Sequence, residues 1–484
     1  MRRDLPVFGG VLVVIILISF LTGSSAAKRS YAPVGTAPVT ARTVACPVVN
    51  GQPRNTVGTA SIADISKALD PPASVTGTVT ATTLFGLNKA ETTTAKLNPS
   101  YSLHMGNLHS EAVGFSASGT IAADVVADEV IVTDQGRYRS LVGGNCLAPA
   151  TDWWFAGGNG KVGSTDRVFL ANPSKTDAEV GITAWTPKGV VTTPRIAAIP
   201  VPAESKVRVG VFAFAPDINV VAIHVHADSG AVTAVLLDRK TNGLTPEGGD
   251  LVPATSAPSK QLVIAGFPAG SGPRDLVVAN PGYIDADVSI KVVTTDGEYS
   301  PSSVRPFIVR AGRTSLIDVS KALSGATGAI LVSSDQPVIA EGRSTAGTSG
   351  RSYPDYFWDA ATPPLSGPAA VAIGREPDGG ECYLLLSAPE GQASVRVTTP
   401  SGGSQTVSIP AGHSVGVDIT NTLKSGSGSW PFVVTPIGDQ PVYGVRVLHF
   451  DGSHGPLITA EPLLSLPGPI PLPPVREDPR LAAR

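Results

Sequence analysis

Apolar and polar residues alternate in short runs along most of the chain. In the segment ADVSIKVV, Val288, Ile290 and Val292 alternate with Ser289 and Lys291, which places the apolar side chains on one face of a strand. Similar runs recur as AEVGITAW and ASVRVTTP, and segments rich in glycine and proline separate them. The pattern predicts many short β-strands that each bury one face against a second sheet.

The strand pattern recurs at a fixed interval. Pro173, Pro281 and Pro389 each follow a strand-like run, and 108 residues separate each from the next. An interval with about seven short strands has the size of an immunoglobulin-like β-sandwich. We therefore predict an all-β chain of tandem immunoglobulin-like β-sandwich modules. The alternative is a β-propeller in which each repeat supplies two blades, although propeller repeats usually recur at about 40–50 residues.

A long apolar segment precedes the repeats. Residues 6–23 are almost free of polar side chains, and Arg2 and Arg3 stand before them. As a helix, this segment would span about 27 Å, just enough to cross the hydrocarbon core of a membrane. The two arginines predict that the N-terminus stays inside. Residues 1–27 are thus a signal peptide or a transmembrane anchor, and the rest of the protein is extracytoplasmic, either membrane-anchored or secreted.

The three cysteines agree with an exported protein. Cys46 opens the first folded region and Cys146 closes it, so a disulfide between them is the predicted pairing in an oxidising compartment. Closing a loop of about 100 residues stabilises a fold by roughly 4–5 kcal/mol in the chain-entropy description. Cys382 lies in a strand-like apolar run and is predicted to be a buried, unpaired thiol.

Changes in composition divide the chain further. Residues 46–150 are strand-like but lack the clearest repeat motifs, and the last twenty residues are rich in proline, which favours an extended conformation. The predicted division is a signal peptide or anchor (1–27), a linker (28–45), a divergent N-terminal β domain (46–150), three β repeats (151–260, 261–367 and 368–464) and a disordered tail (465–484).

The repeat motifs resemble those of a known group of proteins. The pattern WWFAGG, RVFLANP, AEVGITAW, PVPAESKVRV and VVAIHV is similar to a repeat in secreted and membrane-anchored bacterial proteins, mainly actinobacterial, that form families of unknown function. The resemblance covers about residues 150–465. The third repeat departs from it, with Ala388-Pro389 where Asn-Pro is expected. These motifs are structural, and the resemblance implies no catalytic residues.

A pair of histidines is a candidate metal site in the sequence. His224 and His226 are two residues apart in a predicted strand, so they point to the same face. No third ligand stands near them in the sequence, and we assign no metal. The chain also lacks the Gly-x-Ser-x-Gly, Walker and dinucleotide-binding motifs. We therefore predict no catalytic residues, no cofactor and no enzymatic activity.

Two aromatic clusters occupy comparable places in successive repeats. Trp153, Trp154 and Trp358 are candidates for stacking on the sugar rings of a ligand or on a partner protein. The alternative is that these rings pack inside the protein or between its modules.

The overall composition narrows the function. A net charge of −3 provides no general attraction for nucleic acid, so we predict no nucleic-acid partner. The first hypothesis is a non-enzymatic cell-envelope protein that acts as scaffold, spacer or binding platform, with the membrane contacted through residues 6–23. Its partner would be an envelope protein or polysaccharide. The alternatives are a carbohydrate- or envelope-polymer-binding protein and an unrecognised envelope hydrolase.

Overall fold

The computed structural model describes residues 35–47, 56–84, 92–95, 102–106, 112–347, 352–373, 379–420 and 430–472. The chain forms two compact parts, a large one from Val39 to Pro467 and a small one from the remaining ends. The small part contains β1 (Thr36–Ala37), paired with a short strand near the C-terminus. The predicted export segment, residues 1–27, lies outside the described residues. Where the structure is described, no helix has the length and apolarity needed to cross a membrane.

The large part consists of four units built from the same eight strand positions. We call them the N-terminal unit and repeats 1, 2 and 3. The N-terminal unit contains β2 (Ala41–Cys46), β3 (Thr56–Asp64), β4 (Gly77–Leu84), β5 (Thr92–Ala95), β6 (Ser102–Gly106), β7 (Ala112–Gly119), β8 (Val125–Thr133) and β9 (Ser140–Asn145). Repeat 1 contains β10 (Asp152–Phe155), β11 (Arg167–Asn172), β12 (Ala178–Thr186), β13 (Gly189–Val191), β14 (Ile199–Val201), β15 (Ser205–Gly210), β16 (Ala222–Ser229), β17 (Thr233–Asn242) and β18 (Thr245–Val252).

The remaining two repeats follow the same plan. Repeat 2 contains β19 (Ser259–Phe267), β20 (Arg274–Asn280), β21 (Ala286–Thr294), β22 (Gly297–Tyr299), β23 (Phe307–Val309), β24 (Arg313–Asp318), the one-turn helix α1 (Ser320–Leu323), β25 (Gly328–Ala346) and β26 (Asp355–Ala360). Repeat 3 contains β27 (Ala369–Val371), β28 (Glu381–Ala388), β29 (Ala393–Thr398), β30 (Ser404–Ile409), β31 (His413–Asp418), β32 (Phe432–Ile437), β33 (Tyr443–Gly452) and β34 (Gly455–Pro462). The last strand, β35 (Ile470–Pro471), pairs with β1. Short 3-10 helices cover Ser66–Ala68, Thr120–Ala123, Pro194–Ile196 and Val211–Ala213.

All four units share one antiparallel strand order. The first sheet of each unit runs in the order 1-6-3-4 by strand position, and the second sheet runs 5-2-7-8. Repeat 3 shows this most simply, with β27-β32-β29-β30 and β31-β28-β33-β34. The N-terminal unit, which is divergent in sequence, has the same order in β2-β7-β4-β5 and β6-β3-β8-β9. Its first strand begins inside the segment predicted as a linker, because Val44 and Ala45 are buried there.

The alternation of apolar and polar residues along a strand places its apolar side chains in the core between two sheets. On β21, Val288, Ile290 and Val292 are buried between the two sheets of repeat 2, whereas Ser289 and Lys291 are exposed. Strand β25 continues through the Asp-Gln-Pro segment at 335–337, and it pairs with β21 before that segment and with β20 after it. One continuous strand therefore supplies positions six and seven and joins the two sheets.

The recurring Asn-Pro motif has a structural role. The side-chain amides of Asn172 and Asn280 are buried, and each donates to two backbone carbonyls, 4 and 29 residues further along the chain. The same two hydrogen bonds tie the end of position two to the following loop and to the segment before position five. Burying a side-chain amide destabilises a fold unless its N–H groups are hydrogen-bonded. These hydrogen bonds explain why the motif recurs in repeats 1 and 2.

The predicted disulfide between Cys46 and Cys146 is present, with both residues buried. Cys46 ends β2, and Cys146 follows β9, so the bond joins the first and last strands of the N-terminal unit. Cys382 is a free, buried thiol, as predicted.

The four units pack into a closed ring. Within each unit the two sheets share a core, and the outer face of each second sheet packs against the first sheet of the adjacent unit. Eight sheets therefore follow one another face to face. The junctions are represented by Ala171 with Ala45 between repeat 1 and the N-terminal unit, Ile65 with Val433 between the N-terminal unit and repeat 3, Val445 with Ala265 between repeats 3 and 2, and Ile339 with Val221 between repeats 2 and 1.

The four strands at position eight meet at the centre of this ring. Strands β9, β18, β26 and β34 each contact at least two of the others. The buried carboxylate of Asp355 on β26 accepts backbone N–H bonds from Gly249 on β18 at 3.1 Å, Leu141 on β9 at 2.9 Å and Ile458 on β34 at 3.1 Å. Close approach also requires Gly248, since a Cβ there would lie 2.8 Å from the Cα of Asp355. One side chain thus connects all four units.

Several other carboxyl groups are buried around this centre. Burial raises the pKa of Asp355 and of Asp359 to about 7, and it raises the pKa of Glu129 on β8 to about 8. Burial disfavours the charged form because the interior solvates it poorly. Arg446 and Glu461 form a buried ion pair nearby, in which the two opposite charges compensate each other.

Replacing Asp355 by alanine should destabilise the whole ring. The substitution leaves three backbone N–H groups buried without an acceptor, and each costs about 1–3 kcal/mol. We expect the free energy of unfolding, measured by urea denaturation, to fall by about 3 kcal/mol or more. The control is Asp296→Ala in an exposed turn, which should change it by less than about 0.5 kcal/mol. Equal stability of the two variants would contradict the central role of Asp355.

Stability should depend on pH through the buried carboxyl groups. In the unfolded chain their pKa values return to about 4, so between about pH 4 and pH 8 the folded protein binds more protons than the unfolded one. The free energy of unfolding therefore falls as pH rises through this window. The variant Glu129→Gln should match the parent at about pH 4 and be more stable by a few kcal/mol at about pH 8.5, as thermal unfolding would measure.

The matched control for this effect is Glu179→Gln, because Glu179 is an exposed glutamate on β12. It should leave the pH dependence of the melting temperature as in the parent. If the melting temperature of Glu129→Gln falls with pH as steeply as that of the parent, Glu129 does not cause the pH dependence of stability.

Candidate functional site

The first candidate site lies on the outer face of the first sheet of repeat 1. Strand β10 pairs with β16 so that Asp152 is opposite His226 and Trp154 is opposite His224. Residues two apart on a strand point to the same side, so all four side chains share one face. We call Asp152, His224 and His226 the Asp-His-His cluster.

The three side chains of the cluster converge on one oxygen atom. The Oδ1 atom of Asp152 lies 3.0 Å from Nε2 of His224 and 3.0 Å from Nδ1 of His226. The Oδ2 atom of Asp152 accepts a hydrogen bond from the hydroxyl of Thr151 at 2.9 Å. The side chains of Asp152 and His226 are each 49% exposed and that of His224 is 18% exposed, so solvent reaches the cluster.

Aromatic stacking fixes the plane of one imidazole. The rings of Trp154 and His224 are nearly parallel, at 11°, with centroids 3.9 Å apart. Trp185 stacks on Trp154 with centroids 5.7 Å apart. A stacked ring loses rotational freedom, so the His224 nitrogen that faces Asp152 is held in place.

The protonation states favour the binding of a cation. The hydrogen bond from His226 is the main cause that lowers the pKa of Asp152 to about 2, so its carboxylate is ionised at neutral pH. Burial lowers the pKa of His224, which favours the neutral imidazole. An ionised carboxylate and a neutral imidazole are the forms in which these side chains bind metals.

The burial of Trp153 and Trp358 favours the packing alternative over ligand stacking for these two tryptophans. Trp153 is buried in the core of repeat 1, and its indole N–H donates to the carbonyl of Val232. Trp358 is buried between repeats 2 and 1, and its indole N–H donates to Asp238. Trp154 is half-buried and already stacked. Trp153 is thus buried because it lies on the inner face of its own sheet, and Trp358 is buried because a neighbouring unit covers it.

The second candidate site is a cleft of about 650 Å³ between repeats 2 and 3. It opens where the second sheet of repeat 3 faces the loop 268–272 and the end of β25. Its walls are mainly apolar, and polar groups converge from repeat 3. The lining side chains include those of Glu381, Tyr383, Leu385, Asp418, Val447 and His449 from repeat 3, together with that of Arg274 from repeat 2.

Hydrogen bonds organise the polar side of the cleft. The hydroxyl of Tyr383 donates to Oε2 of Glu381 at 2.6 Å, and this contact raises the pKa of Tyr383. Nδ1 of His449 lies 3.6 Å from the same carboxylate oxygen. The guanidinium of Arg274 donates to the carbonyls of Pro268 and Gly272, which ties the loop to the sheet. The carboxylates of Glu381 and Asp418 are the acidic acceptors in the lining of the cleft.

Sequence reasoning missed Asp152 and the cleft residues. Asp152 stands 72 residues before His224, and only the pairing of β10 with β16 brings them together. The one usable signal was the alternation in ECYLLL, which puts Glu381 and Tyr383 on the face opposite the core. Nothing in the sequence showed that this face meets repeat 2.

These observations define the chain as a disulfide-bonded, all-β protein of several units with two solvent-accessible sites. The sequence profile described as a family of unknown function (DUF5719) matches residues 106–420. The protein therefore belongs to this family, and the resemblance to families of unknown function agrees with it.

Other comparisons add little. No curated protein matches the chain. A solved structure described as the crystal structure of Thermotoga maritima 1070 is 12% identical with a TM-score of 0.19, and the match covers 21% of this chain and 93% of that one. A likeness of this size supports no inference about fold or function.

Proposed function

We propose that this protein is an extracytoplasmic, non-enzymatic binding platform of the cell envelope whose ligand occupies the cleft between repeats 2 and 3. The cleft carries the proposal. Its volume of about 650 Å³ falls within the range of small-ligand sites, which are mostly apolar with a few converging polar groups. Leu385 and Val447 supply apolar wall, and Glu381, Tyr383 and Asp418 supply the polar groups.

The ligand class we propose is a glycan segment of the envelope. The carboxylates of Glu381 and Asp418 accept hydrogen bonds, and sugar hydroxyls donate them. The half-buried ring of Tyr383 offers a surface for the apolar face of a sugar. An anionic ligand fits less well, because the guanidinium of Arg274 already binds the carbonyls of its own loop.

The extracytoplasmic location rests on two features. The buried disulfide between Cys46 and Cys146 is typical of proteins folded in an oxidising compartment. The apolar segment over residues 6–23 remains our proposed signal peptide or membrane anchor. A role as a spacer is less favoured than a role as a platform, because four units closed into a ring project a site less far than four units in a row.

We also propose an architecture for the four units. The size and two-sheet construction of each unit support an immunoglobulin-like sandwich. The pairing of the first strand with the sixth differs from the immunoglobulin order, in which the first strand pairs with the second. The face-to-face order of eight sheets supports the propeller alternative, in which each unit supplies two blades. We favour a propeller-like ring of sandwich units.

Glycan binding should depend on Tyr383. We expect the purified chain to bind soluble peptidoglycan glycan strands or tetra-N-acetylchitotetraose saturably, as measured by isothermal titration calorimetry. Tyr383→Ala should weaken the affinity about fivefold or more through loss of stacking and of the contact with Glu381. Tyr283→Ala is the control, because Tyr283 is fully exposed outside the cleft.

Three results would count against this function. Failure of both glycans to bind would reject the ligand class. If Tyr383→Ala and the milder variant Glu381→Gln both bind the glycan as tightly as the parent does, the binding site is not in the cleft. New reducing ends released from the glycan strands would reject the non-enzymatic assignment in favour of an envelope hydrolase.

The extracytoplasmic location predicts accessibility from outside. In spheroplasts that express the full chain, added protease should degrade the region after residue 28, whereas a cytoplasmic marker protein should survive. Mass spectrometry without reduction should recover Cys46 and Cys146 in one disulfide-linked pair of peptides. Protection of the chain together with two free thiols would place it in the cytoplasm.

A further inference from the structure

We propose that Asp152, His224 and His226 bind a divalent transition-metal cation of the zinc class. Their ligand atoms all lie within 4.8 Å of one another. They are supplied by two neighbouring strands, β10 and β16, whose register places the three side chains on one face. This site is on repeat 1 and is independent of the cleft and of the proposed glycan.

The spacing of the ligand atoms suits a metal ion. In a tetrahedral zinc site with bonds of about 2.0–2.1 Å, neighbouring ligand atoms are about 3.3 Å apart. The two distances from Asp152 Oδ1, to Nε2 of His224 and to Nδ1 of His226, are each 3.0 Å. Lengthening these two distances by a few tenths of an ångström would bring both to the tetrahedral spacing, and the third pair of ligand atoms lies within 4.8 Å. Without it, the same atoms form a hydrogen-bonded cluster, which is the alternative explanation.

Neighbouring side chains orient the ligands as in known metal sites. The second nitrogen of His226, Nε2, lies 3.9 Å from Oδ1 of Asp228, an arrangement close to the carboxylate–histidine pairs that support metal ligands. Stacking on Trp154 holds His224, and the hydroxyl of Thr151 binds the second oxygen of Asp152. His224 and Asp152 are thus restrained by contacts outside the proposed site.

The ligand set determines the class of cation. Two imidazoles and one carboxylate favour zinc and similar transition metals over calcium or magnesium, which prefer oxygen ligands alone. Three protein ligands leave at least one coordination position open. The exposure of Asp152 and His226 lets water, or a donor group from a ligand or partner, fill it.

The test is a titration of the full chain with zinc after removal of metal by a chelator. Calorimetry should show one equivalent bound, and the visible spectrum with Co²⁺ should show bands of a four- or five-coordinate site. His226→Gln and Asp152→Asn should each weaken zinc binding by at least about tenfold. His454→Gln, which changes an exposed histidine elsewhere, should bind as the parent does.

The remaining outcomes overturn the proposal. Absence of zinc binding at millimolar concentration would leave the cluster as a hydrogen-bonded one only. Binding that is unchanged in both His226→Gln and Asp152→Asn would place the cation elsewhere. Thermal unfolding of the metal-free variants shows that they are folded, so that a loss of binding reports on the ligands.

Discussion

The structure depends on a buried carboxylate that accepts hydrogen bonds from backbone N–H groups of three other strands. Asp355 on β26 accepts from β9, β18 and β34, so one side chain fixes the innermost strand of every unit. Backbone N–H groups at this depth have no access to water and need an acceptor. A carboxylate can accept several such bonds, which a neutral apolar side chain cannot do. The centre of the ring is therefore specified by a polar contact rather than by apolar packing alone.

The closed ring determines where the candidate sites occur. Because every second sheet packs on the next unit, most outer sheet faces are buried, including the face that carries Trp358. A site needs a place where this packing is incomplete. The cleft arises between repeats 2 and 3, and the Asp-His-His cluster lies on a partly exposed face of repeat 1. Residues that look like an exposed binding surface in an isolated module become interior in the assembled ring.

The fold could be predicted in part because its strongest signals are local. Alternation at Val288, Ile290 and Val292 marked a strand with one buried face, and the structure confirms that burial. The predicted all-β class is confirmed, and so are the disulfide and the buried thiol at Cys382. The continuous strand through residues 335–337 could not be predicted, because a proline such as Pro337 ordinarily ends strand pairing.

The sequence by itself determined the all-β class and the pairing of Cys46 with Cys146. These follow from side-chain periodicity and from counting, which act over a few residues or involve few choices. Only the tertiary structure decided that Asp152 meets His224 and His226, that Asp355 joins four units and that Glu381 faces a cleft. Each of those contacts depends on strand register or on packing between units, and residues far apart in the chain carry no local trace of either.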